Sequence, residues 1–372
     1  MIIGVPKEIK NNEFRVGLTP ESVEVLVSHG QTLHVEMSAG LGIGVSDLEY
    51  EKAGAKIVGE AIDIFRYSDL IIKVKEPQPE ECRLLRPGQI LFTYLHLAAD
   101  KLQTDLLIDS CAIAIAYETV EENGNLPLLT PMSEVAGKLS VQAGARFLEK
   151  SSGGEGILLG GAIGAAPAKV LVIGGGVVGQ NAAQVAVGMG AEALILDSSP
   201  DKVRLLNNKY QESIRCLLSS RASIEQHSQT ADLIIGAVLT PGSGAPKVLT
   251  RETLKMIRPG TVIVDVAIDQ GGCFETSHPT THADPVFFVD DVLHYCVANM
   301  PGAVPKTSTY ALNFATLPYI VNLATSGLEN AFSRNSGFSS GLNICKGKVT
   351  HRAVADHFNY PYVNWREAVR DV

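Results

Sequence analysis

The sequence has few of the residues from which cross-linked or zinc-stapled domains are built. Its six cysteines are widely separated and form no C-x-x-C pair; they are Cys82, Cys111, Cys216, Cys273, Cys296 and Cys345. This spacing predicts reduced thiols in a cytoplasmic protein rather than a disulfide framework or a zinc site. No uninterrupted apolar run approaches the roughly 18 residues that a transmembrane helix needs. The N-terminal MIIGVPKEIKNNEFR has too short an apolar stretch for a signal peptide.

The charge balance argues against two further classes of partner. The 372 residues carry a formal net charge of −9, which disfavours binding to nucleic acid or to an anionic membrane. Apolar residues make up 45% of the chain and charged residues 19%, a composition that can bury sizeable cores and is not that of a disordered protein. The length favours two domains.

The segment from Lys169 to Asp197 carries the most informative motif. An apolar run leads into a G-x-G-x-x-G turn at Gly174, Gly176 and Gly179, and a helical segment and a second apolar run follow. In a dinucleotide-binding turn these glycines allow the tight turn, the approach of the pyrophosphate and the close packing of the helix. The terminal aspartate would accept hydrogen bonds from a ribose 2′-OH and repel a 2′-phosphate, so the segment predicts NAD rather than NADP. A glycine-rich turn that binds nothing is the alternative.

Strands alternate with helices on both sides of this segment. The pattern predicts an α/β fold with two Rossmann-like, doubly wound domains of mostly parallel strands, and 287–297 is expected to contain a last strand with its approach. Two long helical stretches, 132–150 and 310–324, are sparsely charged and are predicted to link the domains. We expect a discontinuous substrate domain (1–130 and 305–372), an NAD-binding domain (131–304) and a site in the cleft between them.

Polar residues follow several of the predicted strands, where open α/β sheets bind ligands. Arg15, Lys75 and His96 do so in the first third of the chain, and Asp269 does so after TVIVDVA. The arginine could clamp a carboxylate and the lysine could hold a carboxylate or polarise a carbonyl. The histidine suits acid–base work, and the aspartate could orient water or share a proton. Each has an ordinary alternative: a solvated cation, a buried histidine with its bonds satisfied, or a turn-capping aspartate.

Longer stretches resemble a known family across nearly the whole chain. The stretches that carry the likeness occur in this order: GVPKEIKNNEFRVGLTP, KVKEP, LFTYLHLAA, AIAYETV, PLLTPMSEVAGKLSVQAGA, GGGVVG, IIGAVL, VDVAIDQGGCFETSHPTT and VANMPGAVPKTSTYALN. They are similar to the corresponding stretches of bacterial L-alanine dehydrogenases. The resemblance implies reversible oxidative deamination of L-alanine to pyruvate and ammonium with NAD as cofactor, in a cytoplasmic homohexamer.

On matching positions, the resemblance implies substrate binding by Arg15 and Lys75 and acid–base catalysis by His96 and Asp269, with the primary base left open. With the three glycines, it implies that the cofactor contacts lie at Ser133, Gly174, Gly176, Val177, Val178, Gly179, Asp197, Lys202, Ser219, Val238, Leu239, Val266, Ala267, Ile268, Asp269, Val297, Ala298, Asn299 and Met300. A cofactor-contacting arginine of some members corresponds to His278 here. A Glu/His metal pair of other members corresponds to Asn322 and Ser326, so no metal is expected.

The nearest alternative is the NAD-binding subunit of a proton-translocating transhydrogenase, a partner-dependent hydride donor at a membrane. That family shares the RV-x-x-TP and KVKEP neighbourhoods and the Rossmann half of the chain. The HLAA segment with His96 and the AIDQGG segment with Asp269 speak against it. A catalytically inactive NAD-binding regulator is a third reading, which the presence of all four polar residues disfavours.

Overall fold

The computed structural model describes residues 1–238 and 245–370, which form two compact units. Unit 1 comprises Met1–Met132 and Val304–Val372, and unit 2 comprises Ser133–Ala303. Among the described residues, no helix has the length and apolar character needed to cross a membrane.

The strands are short, and most of their residues are apolar and buried. In chain order they are β1 (Ile2–Val5), β2 (Thr32–Glu36), β3 (Lys56–Val58), β4 (Leu70–Ile72), β5 (Ile90–Thr93), β6 (Ile113–Ala116), β7 (Lys169–Ile173), β8 (Glu192–Asp197), β9 (Arg215–Leu218), β10 (Leu233–Gly236), β11 (Val262–Asp265), β12 (Val286–Val289), β13 (Val292–Tyr295), β14 (Leu342–Cys345) and β15 (Lys348–Val349).

The helices follow the strands in the alternation that the sequence predicts. They are α1 (Pro20–Ser28), α2 (Asp47–Lys52), α3 (Ala61–Tyr67), α4 (Pro79–Cys82), α5 (Lys101–Asp109), α6 (Thr130–Phe147), α7 (Val177–Gly188), α8 (Pro200–Tyr210), α9 (Arg221–Ser228), α10 (Arg251–Leu254), α11 (Pro305–Ser326), α12 (Leu328–Arg334), α13 (Arg352–Phe358) and α14 (Trp365–Arg370). The long helices α6 and α11 coincide broadly with the two long predicted helices, whose role as linkers stays a prediction.

The sheet of unit 1 is doubly wound. Its order is β15-β14-β6-β5-β4-β1-β2-β3, so the chain runs outward from β1 in one direction and then returns to continue from β4 in the other. β1 to β6 pair in parallel, and β14 and β15 add an antiparallel edge next to β6. The sequence did not predict this edge. The point where the strand order reverses, between β1 and β4, is where such sheets bind ligands.

The sheet of unit 2 repeats this arrangement. Its order is β12-β13-β11-β10-β7-β8-β9, with reversal between β7 and β10. The predicted Rossmann-like, mostly parallel fold is therefore confirmed in both units. The last strand predicted within 287–297 is β13, which pairs in parallel with β11. Its predicted approach instead forms a strand of its own, β12, and the two make an antiparallel hairpin. Asp290 and Asp291 turn the chain with φ of 49° and 61°, a left-handed pair that aspartate tolerates.

Helix α6 packs closely within unit 2 because two of its residues have no side chain. A Cβ on Gly137 would lie 2.3 Å from the carbonyl oxygen of Val178 at the start of α7. A Cβ on Gly144 would lie 2.5 Å from Cδ1 of Leu233 on β10. These approaches bring α6 against both the glycine-rich turn region and the middle of the sheet.

Candidate functional site

Three of the four polar candidates lie at one edge of the unit 1 sheet. β1, β4, β5 and β6 are parallel neighbours, so the segments that leave their C-terminal ends are close together. Arg15 belongs to the segment after β1, Lys75 to the segment after β4 and His96 to the segment after β5. The edge also receives Glu118, in the short 3₁₀ turn after β6. The structure thus brings these residues to the switch-point edge that the strand pattern predicts.

Arg15 is buried rather than solvated, with 2% of its surface exposed. Its Nε lies 2.7 Å and its Nη2 2.5 Å from the two carboxylate oxygens of Glu13, and its Nη1 lies 3.2 Å from Sδ of Met132. Burial alone would lower the pKa of Arg15, but the hydrogen bonds and charge of Glu13 outweigh it and raise that pKa. A guanidinium has more N–H donors than one carboxylate engages, so this pairing is compatible with recognition of a second carboxylate.

Helix α11 fixes the segment that follows Arg15. The side-chain amide of Asn313 accepts a hydrogen bond from the Thr19 backbone N–H at 2.9 Å and donates one to the Gly17 carbonyl at 3.1 Å. Thr19 in turn caps α1. Because Asn313 bonds to both a carbonyl and an N–H of the segment 17–19, this segment cannot shift along α11. Helices α11 and α1 therefore fix the backbone just after Arg15.

Lys75 is buried to a similar degree, with 8% of its surface exposed. Its Nζ lies 3.8 Å from the carboxylate of Glu76. Its carbonyl accepts a hydrogen bond from Oγ1 of Thr93 at 2.9 Å, and its backbone N–H lies 3.4 Å from Oε1 of Glu8. The lysine backbone is therefore fixed by Thr93 at the end of β5 and by Glu8 in the segment after β1, while its ammonium can act as a point charge.

A buried triad of charges lies directly beside Lys75. The Nζ of Lys73 donates to Glu8 at 3.0 Å and to Glu81 at 2.7 Å, and all three side chains are at most 3% exposed. Burial raises the pKa of Glu8, against the opposing effect of Lys73. Burial alone would lower the pKa of Lys73, but the two carboxylates outweigh it and raise that pKa. Since Glu8 also accepts the Val74 N–H at 2.6 Å, the triad holds the segment that carries Lys75.

His96 adopts a backbone conformation that histidine rarely takes, with φ 50° and ψ 40°. The carboxylate of Glu118 accepts the His96 N–H at 2.6 Å and the Leu95 N–H at 3.2 Å. The same carboxylate lies 3.8 Å from Nδ1 of the His96 ring. The ring lies parallel to that of Tyr94, with centroids 5.9 Å apart. The imidazole is 43% exposed, so a group that suits proton transfer is both held by a carboxylate and open to solvent.

The glycine-rich turn of unit 2 has the geometry that its sequence predicts. Gly174 turns after β7 with φ 108°, and a Cβ there would lie 2.4 Å from the Ala237 carbonyl oxygen. A Cβ on Gly179 would lie 1.8 Å from the Gly174 carbonyl oxygen. Gly176 has open space where its Cβ would be, and it begins α7 without a side-chain cap. An uncapped helix N-terminus beside an open glycine is what a pyrophosphate requires. The fold and this turn together identify a nucleotide-binding unit.

Asp197 ends β8 beside this turn, and its carboxylate already has partners in the protein. Oδ2 accepts the Gly175 N–H at 2.8 Å and Oδ1 accepts the Ser199 N–H at 2.9 Å. Nζ of Lys202 lies 3.3 Å from Oδ2. The aspartate therefore supports the turn in addition to being placed where a ribose acceptor is expected, and the sequence did not predict this second role.

Asp269 is exposed and lies in the 3₁₀ turn Ile268–Gln270 that follows β11. A second aspartate, Asp265, is fully buried at the end of β11. Its carboxylate accepts backbone N–H groups from Ala267 at 3.1 Å, Cys273 at 2.9 Å and Phe274 at 3.2 Å. Burial raises the pKa of Asp265, although its hydrogen bonds oppose the shift. Asp265 thus anchors both ends of the turn that presents Asp269.

Most of the other predicted cofactor positions lie at one edge of the unit 2 sheet. They follow the C-terminal ends of its parallel strands and are Val177, Val178, Ser219, Val238, Val266, Ala267, Ile268, Val297, Ala298, Asn299 and Met300. Ser133 lies in the first turns of α6, and Lys202 in the first turn of α8. Leu239 lies outside the described residues. His278 stacks on Phe287 with ring centroids 3.7 Å apart.

Asn322 and Ser326, where some relatives carry a metal pair, lie on the last turns of α11. Ser326 accepts a hydrogen bond from Arg334 at 2.8 Å. Among residues 1–238 and 245–370, no group of three or more His, Cys, Asp or Glu side chains is arranged to hold a metal ion.

The sequence reading missed the carboxylates that hold the candidate residues in place. Glu8, Glu118 and Asp265 each accept backbone N–H groups in the segment that carries a candidate. A signal existed for two of them, since Glu118 and Asp265 follow or end buried apolar runs, as the candidates themselves do. Nothing in the sequence distinguishes Glu8 from a solvated surface glutamate.

Comparison with known proteins agrees with this geometry. Two family models match, described as the alanine dehydrogenase/PNT N-terminal domain over residues 4–136 and C-terminal domain over residues 140–352. An alanine dehydrogenase of Halomonas elongata is 54% identical over 364 residues, covering 98% of each chain. A solved L-alanine dehydrogenase structure superposes with a TM-score of 0.93 at 51% identity, covering 96% of this chain and 99% of its own.

A more distantly related structure shares the fold of this chain and supports no statement beyond the fold. The transhydrogenase of Sinorhizobium meliloti superposes with a TM-score of 0.81 at 24% identity, covering 95% of this chain and 100% of its own. The resemblance inferred from the motifs is thus confirmed over the full length of the sequence by two family models and by close relatives. The chain belongs to the alanine dehydrogenase/PNT family.

Proposed function

We propose that this protein is an NAD-dependent L-alanine dehydrogenase that converts L-alanine reversibly to pyruvate and ammonium. The observation that carries the proposal is the grouping of Arg15, Lys75 and His96 at one switch-point edge of unit 1 in a chain of this family. A buried guanidinium, a buried ammonium and an exposed imidazole match the needs of a small amino acid. The first two suit its carboxylate and the developing carbonyl, and the third suits proton transfer.

NAD fits the residues of unit 2. The uncapped start of α7 and the open space at Gly176 suit a pyrophosphate, and the Asp197 carboxylate suits a ribose 2′-OH and disfavours a 2′-phosphate. We propose further contacts at the predicted positions after β9, β10, β11 and β13 and at Ser133 and Lys202. His278 stands where some relatives have a contacting arginine, and no contact is assigned to it.

The substrate is held by two cations in the proposed mechanism. Arg15 binds the alanine carboxylate, and its bond to Glu13 restrains the guanidinium in one orientation. Lys75 holds the side of the substrate where the carbonyl forms. NAD, when bound, supplies the acceptor for the hydride that leaves Cα of alanine. Positioning of this kind supplies a large part of the rate of such reactions.

Proton transfer is assigned to His96 and Asp269. One of them removes a proton from the water that attacks the imine left on the substrate, and His96 returns a proton as ammonia leaves. The Glu118 carboxylate lies 3.8 Å from Nδ1 of His96 and accepts its backbone N–H, so it holds the residue in place. The order in which the two residues act stays open, as in the sequence reading. Both are exposed in the described structure, as groups that exchange protons with water require.

An oxidation assay tests the proposal. The purified protein with L-alanine and NAD should produce NADH, detected by its near-ultraviolet absorbance, and should consume NADH with pyruvate and ammonium. NADP should support much slower turnover. A flat trace with alanine but turnover with a larger amino acid would assign another substrate. Alanine-independent hydride exchange between NADH and an NAD analogue would favour the transhydrogenase alternative.

Two variants test the assigned roles. His96→Ala should reduce kcat on the order of 10²-fold or more, and near-wild-type turnover would refute its acid–base role. Arg15→Lys should raise KM for alanine more than it lowers kcat, because a point charge replaces a bidentate fork. By family resemblance we also propose a cytoplasmic homohexamer, which sedimentation velocity of the full chain tests directly.

A further inference from the structure

We propose that Lys247 is a positioning residue for Asp269: its ammonium fixes the turn that presents the aspartate, and so supports the acid–base step. This role rests on the proposed function, in which Asp269 moves a proton. Sequence reading gave Lys247 no role, and it lies 22 positions before Asp269 in a segment without regular secondary structure.

The turn that carries Asp269 exposes several backbone carbonyls on one side. The 3₁₀ turn Ile268–Gln270 is followed by Gly271 and Gly272, with φ of 87° and 74°. The carbonyl oxygens of Gly271, Gly272 and Phe274 point to a common region, since all three lie within 3.2 Å of one nitrogen atom. Such oxygens repel one another unless a donor lies between them.

Lys247 supplies that donor. Its Nζ lies 2.6 Å from the carbonyl oxygen of Gly271, 2.7 Å from that of Gly272 and 3.2 Å from that of Phe274. An ammonium group has one N–H for each of these carbonyls. Hydrogen bonds from a charged donor are shorter and roughly twice as strong as neutral ones. This geometry differs from that of an ordinary surface lysine, which leaves its ammonium to water.

The backbone around Lys247 is attached to the same turn. The Ala245 N–H donates to the Gln270 carbonyl at 3.0 Å, and the Val248 N–H donates to the Cys273 carbonyl at 2.8 Å. Leu249 forms a parallel bridge with Phe274. The segment from 245 to 249 therefore runs alongside 270–274. Backbone hydrogen bonds between the two segments fix the position from which the Lys247 side chain reaches the carbonyls.

Asp265 completes the support from the opposite side. Its buried carboxylate accepts the N–H groups of Ala267, Cys273 and Phe274. N–H groups before and after the turn are thus bound by the carboxylate of Asp265, and the carbonyls that follow the turn are bound by the ammonium of Lys247. Because both N–H and carbonyl groups around the turn are hydrogen-bonded to side chains, its peptides have little freedom to rotate. The turn therefore holds Asp269 in a fixed position.

The alternative is that Lys247 only stabilises unit 2. Loss of the ammonium would then lower the melting temperature and leave turnover of the folded enzyme unchanged. A positioning role instead predicts a fall in kcat with KM for alanine nearly constant and a much smaller change in KM for NAD, because a group that moves a proton matters more in the transition state than in ground-state binding. A displacement of about 1 Å at a catalytic group costs up to about 10²-fold in rate.

The test compares Lys247→Met and Lys247→Arg with the control Lys255→Met in the full-length enzyme. Methionine retains the length of the side chain and removes every donor, whereas arginine keeps the charge on a planar group that cannot meet three converging carbonyls equally well. We expect kcat to fall about 10- to 100-fold in Lys247→Met, less in Lys247→Arg, and not at all in Lys255→Met. The NADH dissociation constant, measured by fluorescence, should stay within about two-fold of wild type.

A double variant separates action through Asp269 from a general effect. Added to Asp269→Asn, Lys247→Met should cost little further activity in a long end-point assay, since residues that act as a unit are not additive. Unchanged kcat in Lys247→Met, or a full additional loss in the double variant, would overturn the positioning role. If Lys247→Met fails to fold, the same comparison in Lys247→Arg decides. Absence of alanine oxidation in the wild type would instead refute the proposed function.

Discussion

Replacement of Lys73 by methionine should strongly destabilise unit 1. The ammonium of Lys73 lies between Glu8 and Glu81, and all three side chains are out of contact with water. Methionine has similar length and fills most of the space, so the change removes charge with little loss of packing. It leaves two buried carboxylates without the cation that neutralised them.

The magnitude follows from two independent estimates. Breaking a buried ion pair by removing one partner costs about 3–5 kcal/mol. The two hydrogen bonds from Lys73 are charge-assisted, and bonds of this kind contribute about 1.5–3 kcal/mol each, which gives a similar total. For a domain of 150–250 residues, about 2–4 °C of melting temperature corresponds to 1 kcal/mol, so we expect a decrease of roughly 6–20 °C.

The loss should depend on pH with a definite sign. Burial raises the pKa of Glu8 even in the presence of Lys73, and without the cation that pKa must rise further. A carboxyl whose folded pKa is raised supports the folded state below its unfolded pKa, near 4.5, and that support is lost as pH rises through the folded pKa. The variant should therefore be closest to wild type near pH 5 and furthest from it near pH 8.

Thermal unfolding followed by circular dichroism between pH 5 and pH 8 measures both effects. Lys101→Met is the matched control, because Lys101 forms an exposed pair with Asp105 and its removal should change the melting temperature little. Adding Glu8→Gln and Glu81→Gln to Lys73→Met should restore much of the stability, since no unpaired charge then remains. A Lys73→Met enzyme that melts with the wild type at pH 8 would refute the reasoning.

Three further changes test other parts of the molecule. Gly179→Ala would place a Cβ 1.8 Å from a carbonyl oxygen of the same turn, so NADH binding, measured by fluorescence titration, should be lost. The control Gly188→Ala adds a Cβ in open space on the same helix, and this variant should bind NADH normally. Asp197→Ala should favour NADP relative to NAD, measured as the ratio of the two kcat/KM values. Both kcat/KM values should fall, because the Gly175 N–H also loses its acceptor. An unchanged ratio would make the acid purely structural. Burial lowers the pKa of His294, so its contribution to stability is present above its unfolded pKa, near 6.5, and is lost as pH falls. His294→Gln should therefore flatten the decline of melting temperature below pH 6.5. Identical slopes in the variant and the wild type would contradict this.

The parts of the fold that the sequence predicts are those with a strong local period. The run from Lys169 to Asp197 becomes β7, α7 and β8 nearly residue for residue, because an apolar strand, a glycine turn and an alanine-rich helix each leave a local signature. Strand β12 was predicted only as the approach to β13, since apolar runs do not show which partner they pair with. Only the positive φ of Asp290 and Asp291 separates them.

The same limit applies to the candidate site. Arg15, Lys75 and His96 could be proposed because each follows a recognisable strand, and the parallel order of the strands then places them at one edge. The edge strands β14 and β15 come from the end of the chain and pair beside β6. Their short length and polar neighbours leave no periodic pattern, so their place in the sheet had to come from the structure.

Four acidic residues that support the candidate segments share one physical task. Glu8, Glu118, Asp197 and Asp265 each place a carboxylate against the backbone N–H groups of a segment that leaves a parallel strand. Such segments lose the hydrogen bonds of the sheet where they leave it, and their N–H groups must find acceptors nearby. An acidic side chain provides an acceptor of the required strength, but its partner is fixed only when the chain has folded. The sequence marks Asp197, Glu118 and Asp265 only as polar residues at or after the ends of strands, and it gives no signal for Glu8. The backbone segments that these four carboxylates hold in place emerge only from the structure.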